Sequence, residues 1–209
     1  MGLDAGDRPD LSFAHDLPLT QAALDFASAR HAGQRRAGDD ALFVLHPAEV
    51  AAQLELSGYP DRVVAAAVLH DVLEDTDAER SDLERHFGPD VAELVEAVSD
   101  DPSIDDVEQR KDRVRDEVHR RGGYVAAIYA ADKVSKVREL RTRMARGERG
   151  EEVEVKFRRY HRSLAMLEQT IAGDRLVELL RFELEALEQL PPGPAAGRPA
   201  APNGDRRGG

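Results

Sequence analysis

Apolar positions recur at helical spacing from residue 19 to residue 187, and no convincing run alternates with a period of two. Leu19, Ala22, Ala23, Phe26 and Ala29 mark a first stripe, which Gly33 ends. His46-Pro47 opens a second helix, with Pro47 at the first helical position and His46 at the N-cap. Val50, Ala51 and Leu54 supply its apolar face, and Gly58 stops it. A third helix is expected from about Asp61 to Thr76. Gly88-Pro89 breaks the chain before Val91, Leu94, Val95 and Val98, and a charged helix near 105–120 leads to Gly122-Gly123. Val125, Ile128, Asp132 and Ser135 then fall at i, i+3, i+7 and i+10. Phe157, Tyr160, Leu164, Leu167 and Ile171 form another amphipathic helix, and Leu176, Leu180, Leu184 and Leu187 the last. The pattern predicts one all-α helical bundle over residues 18–190. Residues 1–17 are polar and expected to be loose. Residues 191–209 hold five prolines and five glycines and read as a disordered tail.

Composition narrows the class. A chain of 209 residues builds one sizeable domain, and its net charge of -12 disfavours nucleic acid as a partner. There are no cysteines, which excludes a disulfide framework, a thiolate metal site and a thiol nucleophile. No run approaches ~18 apolar residues, so no membrane span is expected. The first residues lack the basic segment and apolar core of a secretory signal. The expectation is a cytoplasmic enzyme or binding protein for a small molecule, with homo-oligomerisation left open.

The densest chemistry follows the apolar run 63–69. Leu69-His70-Asp71-Val72-Leu73-Glu74-Asp75-Thr76 places one histidine and three carboxylates within six consecutive residues. On a helix, His70, Asp71, Glu74 and Asp75 fall within an arc of roughly 140° at about 100° per residue. Clustered carboxylates behind a buried run are costly unless a cation neutralises them, with His70 as a nitrogen ligand. The bland alternative is a solvated helix end. Asp132, in Ala130-Ala131-Asp132-Lys133, stands on a stripe of small and apolar residues and needs a partner, either a neighbouring cation or a metal. His46 is a ligand candidate or a mere cap. Two histidines and two aspartates would make an N2O2 set with positions left for water and substrate, which suits Mn²⁺ or Fe²⁺ and not a closed zinc site. His15, His119 and His161 read as structural or surface residues. His31 either approaches the pocket or caps its helix.

At this point the chain resembles the HD-domain metal phosphohydrolases, and among them the hydrolase domain of RelA/SpoT alarmone enzymes and the small alarmone hydrolases. The resemblance rests on His31-Ala32-Gly33-Gln34-Arg35-Arg36, on His46-Pro47-Ala48-Glu49-Val50-Ala51, on the 69–76 octapeptide, on His86-Phe87-Gly88, and on Ala131-Asp132-Lys133 with Val137-Arg138, in family order over roughly residues 20 to 145. It implies a helical fold holding one divalent ion, usually Mn²⁺, through His46, His70, Asp71 and Asp132. It makes Glu74 and Asp75 the acidic pair that works on the attacking water. Arg36 matches an arginine that contacts the guanine base. By their chemistry, Arg35, Lys133 and Lys136 are further cations for phosphate. Ala37 stands where the family has a basic residue, Leu42-Phe43-Val44-Leu45 precedes the metal histidine in place of a Pro-Tyr, and Lys136 replaces an asparagine. The expected activity is removal of the 3′-pyrophosphate of (p)ppGpp with relaxed base selectivity. The alternatives are a metal-binding nucleotide sensor with little turnover and a phosphatase for another phosphate ester.

Overall fold

The computed structural model describes residues 11–36 and 40–190. Within them the chain forms α1 (Pro18–Arg30), α2 (Leu45–Leu56), α3 (Asp61–Val68), α4 (Val72–Asp75), α5 (Arg80–Phe87), α6 (Pro89–Val98), α7 (Val107–Arg121), α8 (Gly123–Ala145), α9 (Glu151–Thr170) and α10 (Arg175–Glu188). Extended pairing among the described residues is one isolated antiparallel bridge, Arg35 with Leu42. The all-α expectation holds.

Two helices organise the core. Val63 to Val68 of α3 are all fully buried, as an apolar surface on every side requires. That helix packs on α1, α2, α6 and α8. The long α8 packs on α2, α9 and α10 and buries residues from Val125 to Leu140. The α10 stripe Leu176, Leu180, Leu184 and Leu187 is buried against it, as its spacing predicts. Gly88, at φ 84°, both ends α5 and admits Pro89 as the first residue of α6.

Several expectations change. The helix expected over 61–76 stops at Val68 and resumes at Val72. In an unbroken helix Ala67 O would accept from the Asp71 amide. Here the His70 ring takes that carbonyl through Nδ1 at 2.7 Å, and Val72 N turns back to Leu69 O at 3.0 Å. His46 does not cap α2, which begins at Leu45 with Val44 as N-cap; His46 lies in the first turn and Pro47 one residue further in. On α1, Ala22 and Ala29 face solvent while Thr20, Ala23, Leu24 and Ala27 are buried. The cause is Asp61, which accepts from Leu19 N and Thr20 N at 2.9 Å each and from Thr20 Oγ1 at 2.6 Å, and so sets the rotation of α1 against α3. Residues 11–17, expected to be loose, carry a 3₁₀ turn at Ser12–Ala14 with Ala14 buried. Residues 1–10, Ala37 and the tail 191–209 lie outside the described residues.

Candidate metal centre and cleft

The break after Val68 places His70 and Asp71 at the inner end of α3. The first turn of α2 brings His46, and the middle of α8 brings Asp132. All four are 4–6% exposed. His46 Nε2 lies 3.2 Å from Asp132 Oδ1 and 3.5 Å from Asp71 Oδ2; His70 Nε2 lies 3.1 Å from Asp71 Oδ2 and 3.5 Å from Asp132 Oδ1. Donor atoms of His46, His70 and Asp132 fall within 4.8 Å of one another. His46 Nε2, His70 Nε2 and Asp132 Oδ1 have no hydrogen-bond partner despite full burial. Buried polar atoms left so are costly unless a cation satisfies them. Both rings are held from behind: His70 Nδ1 donates to Ala67 O at 2.7 Å, and His46 Nδ1 meets Ser135 Oγ at 3.1 Å. Their Nε2 atoms therefore face the cluster as donors.

The electrostatics agree with this placement. Burial alone would lower the His70 imidazole; the carboxylates of Asp71 and Asp132 outweigh it and push the group up to about 10. Burial disfavours the charge on Asp132, but the ammonium groups of Lys133 and Lys136 outweigh it and hold that carboxyl well below the usual range. Asp71 is likewise held low against burial, chiefly by His70 and Lys136. The cluster calls for positive charge, and its two nitrogen and two oxygen donors suit a divalent ion.

A cleft of about 340 Å³ opens beside the cluster, lined among others by Arg35, Arg36, Phe43, Glu74, Asp75 and Lys136. Glu74 and Asp75 both sit above the usual carboxyl range, first through desolvation. Glu74 Oε1 accepts from Asp100 N at 2.8 Å. Gln34 Nε2 donates to Asp75 O at 2.8 Å, and His31 Nδ1 holds Gln34 Oε1 at 2.8 Å. His31 thus ends α1 and also braces the cleft. Arg35 lies at the rim, its Nη1 donating to Asp40 O at 2.6 Å. Lys133 is mostly buried, 2.6 Å from Asp132 Oδ2, with its ammonium 4.2 Å from the Tyr129 ring centre. Lys136 bonds Asp132 Oδ2 at 3.2 Å and approaches Oδ1 at 2.9 Å outside hydrogen-bond geometry. Both lysines therefore balance Asp132 first. Both also line a second cleft of about 240 Å³, with Lys111, Arg143, Lys156 and Arg159.

Other histidines lie away from this centre: His86 Nδ1 bonds Asp82 O, His119 bonds Thr170 and His161 pairs with Glu188. A larger groove of about 670 Å³ runs between α5, α6 and α7, but its wall is ion-paired, as in Arg80 with Glu96 and Arg121 with Glu117. Sequence reasoning missed Glu49 and Asp100 as partners of site groups. Glu49, three residues after His46, carried a helical-face signal that pointed to it. Asp100 acts through its backbone and carried none.

The HD domain family matches residues 23–156. Mouse MESH1, a guanosine-3′,5′-bis(diphosphate) 3′-pyrophosphohydrolase, is 38% identical over 121 residues, 56% of this chain and 67% of that protein. The GTP pyrophosphokinase rsh of Brucella ovis is 36% identical over 103 residues, 49% of this chain and 13% of that protein. The solved structure of a metazoan ortholog of SpoT that hydrolyses ppGpp superposes with a TM-score of 0.71 at 30% identity, covering 83% of this chain and 97% of that one. The family match spans His46, His70, Asp71 and Asp132, and the relatives and the fold agree with it: the chain belongs to the HD-domain phosphohydrolases.

Proposed function

We propose that the protein hydrolyses the 3′-diphosphate of a guanosine bis(diphosphate) nucleotide, using one divalent ion, Mn²⁺, held by His46, His70, Asp71 and Asp132. The observation that carries the reading is the set of buried, unpartnered Nε2, Nε2 and Oδ1 atoms beside a cleft whose wall holds two carboxyls of raised proton affinity. An ion held by these four residues would supply a water of lowered pKa and positive charge for the phosphoryl oxygens. Glu74 and Asp75, within the same cleft, orient the attacking water and take its proton. Glu74 keeps its aim through the Asp100 amide, and Asp75 through the Gln34 brace on its carbonyl. Arg35 and Arg36, which line the same cleft, offer guanidinium groups to the nucleotide, with Arg36 matching the family's base-contacting arginine. Lys136 lines both the metal cleft and the neighbouring basic cleft, which Lys133 also lines and whose cations suit the charge of a diphosphate. The name of MESH1 supports this substrate.

Lys136 gives the site a cation committed to Asp132 where a base-reading amide would discriminate. We therefore expect weaker guanine selectivity than an unpaired-hydrogen-bond mechanism supplies, which reaches ~10⁴. The test incubates the Mn²⁺-loaded protein with ppGpp and with the adenine analogue carrying the same phosphates, and follows release of pyrophosphate. Wild type should turn over ppGpp with a kcat/KM advantage below ~10². His70→Ala should lose both metal and turnover. Hydrolysis of neither nucleotide with metal bound would instead favour a sensor or another phosphate ester.

A further inference from the structure

The two metal-facing histidines are held by different devices. His70 is held by a backbone carbonyl, which no side-chain substitution removes. His46 is held by side chains alone. Its Nδ1 lies 3.1 Å from Ser135 Oγ, and that hydroxyl donates to Glu49 Oε2 at 2.9 Å. A serine hydroxyl has one proton. Since it goes to the Glu49 carboxylate, Ser135 Oγ meets His46 only as an acceptor. In the neutral ring Nδ1 must then carry the hydrogen, and Nε2 is left with the lone pair directed at Asp71 and Asp132.

We infer that Ser135 and Glu49 are positioning residues for the metal centre, fixing the tautomer and direction of His46. The inference rests on the metal site proposed above. The arrangement follows from two short helical spacings. His46 and Glu49 are i and i+3 on α2, and Asp132 and Ser135 are i and i+3 on α8. Each helix therefore brings one metal-facing donor and one half of the support to the α2–α8 contact. Ser135 is buried, so water does not compete for its hydroxyl. Glu49 is fixed in turn: Arg138 Nη1 lies 3.6 Å from its Oε1, while Arg138 Nε bonds Glu183 Oε1 at 2.7 Å. Glu183 is buried on α10 and also meets Arg141 at 2.6 Å. A carboxylate behind the hydroxyl makes the imidazole a better donor, as a directly bonded carboxylate does.

The test measures Mn²⁺ affinity by competition with a chelating dye, using metal-stripped full-length protein, its variants Ser135→Ala, Glu49→Ala, Glu49→Gln and the control His46→Ala. Loss of such a supporting partner typically weakens metal binding by about 10–100-fold, and that is expected for Ser135→Ala and Glu49→Ala. Glu49→Gln should lose less than Glu49→Ala, because an amide oxygen still accepts the Ser135 proton. The metal-stripped variants should melt within about 2 °C of wild type, since the substitutions leave the apolar core intact. A fall in affinity that only accompanies a large fall in melting temperature would make the role structural and overturn the inference. If His46→Ala loses the metal while Ser135→Ala or Glu49→Ala binds within about threefold of wild type, that residue has no such role. If His46→Ala itself retains full affinity, the metal site is misplaced and the support falls with it.

Discussion

Glu74 shows how a single residue divides its work. One oxygen accepts the Asp100 amide, and the carboxyl as a whole stands in the cleft with raised proton affinity. Glu74→Gln keeps the amide contact and the volume while removing the charge. The variant should fold and hold its metal, yet lose about 10²–10⁴ in kcat, the usual effect of removing a positioned acid or base. Parallel measurement of metal stoichiometry and turnover decides it; undiminished turnover would move the proton transfer to Asp75. Lys133 illustrates the opposite case. Its ammonium is already committed to Asp132 and the Tyr129 ring, so it is not a spare cation for phosphate.

Among the elements, α1 depends on a cap supplied from another helix. Its own N-cap, Leu17, has no side-chain acceptor, and Asp61 at the start of α3 satisfies the amides of Leu19 and Thr20. Asp61→Ala leaves those donors without their charged acceptor and should cost about 1–3 kcal/mol, readable as a lower urea midpoint. A midpoint equal to wild type would show that water replaces the carboxylate. Across the α7–α9 contact, Glu108 takes Arg159 and Arg162 and is held down to about 2 by those hydrogen bonds. A folded-state value below the ordinary 4.5 means stability that is present above pH 4.5 and lost as pH falls toward 2. Because the pair is solvent-exposed, the difference between wild type and Glu108→Gln should stay below about 1 kcal/mol at pH 7 and vanish near pH 2. A difference that grows on acidification would refute the sign.

For the molecule as a whole, α2, the end of α3 and α8 meet at the core and bring together the candidate metal donors His46, His70 and Asp132, so folding and site formation share one set of contacts. The buried stripe of α10 is complete at Leu187. A chain ending at Leu190 should therefore melt within about 5 °C of the full chain and bind the same amount of Mn²⁺, because Pro/Gly-rich segments bury little apolar surface. A large loss in either would assign residues 191–209 a docking role. No helix among the described residues is long and apolar enough to cross a membrane.

The helical class and the order of most helices were legible in the residue pattern, because periodic burial is written into residue type and spacing. His46 and Asp132 were joined to His70 and Asp71 only through the family resemblance, since spacing alone left His46 a ligand or a cap and Asp132 a partner of either a cation or a metal. The tertiary structure alone decided where α3 breaks, how α1 is rotated, and which groups support the site. The reason is physical. The His70 ring competes with a backbone amide for Ala67 O, Asp61 reaches α1 from 41 and 42 residues away, and Ser135 meets His46 across 89 residues. Hydrogen bonds between elements so far apart exist only once apolar packing has set the helices side by side.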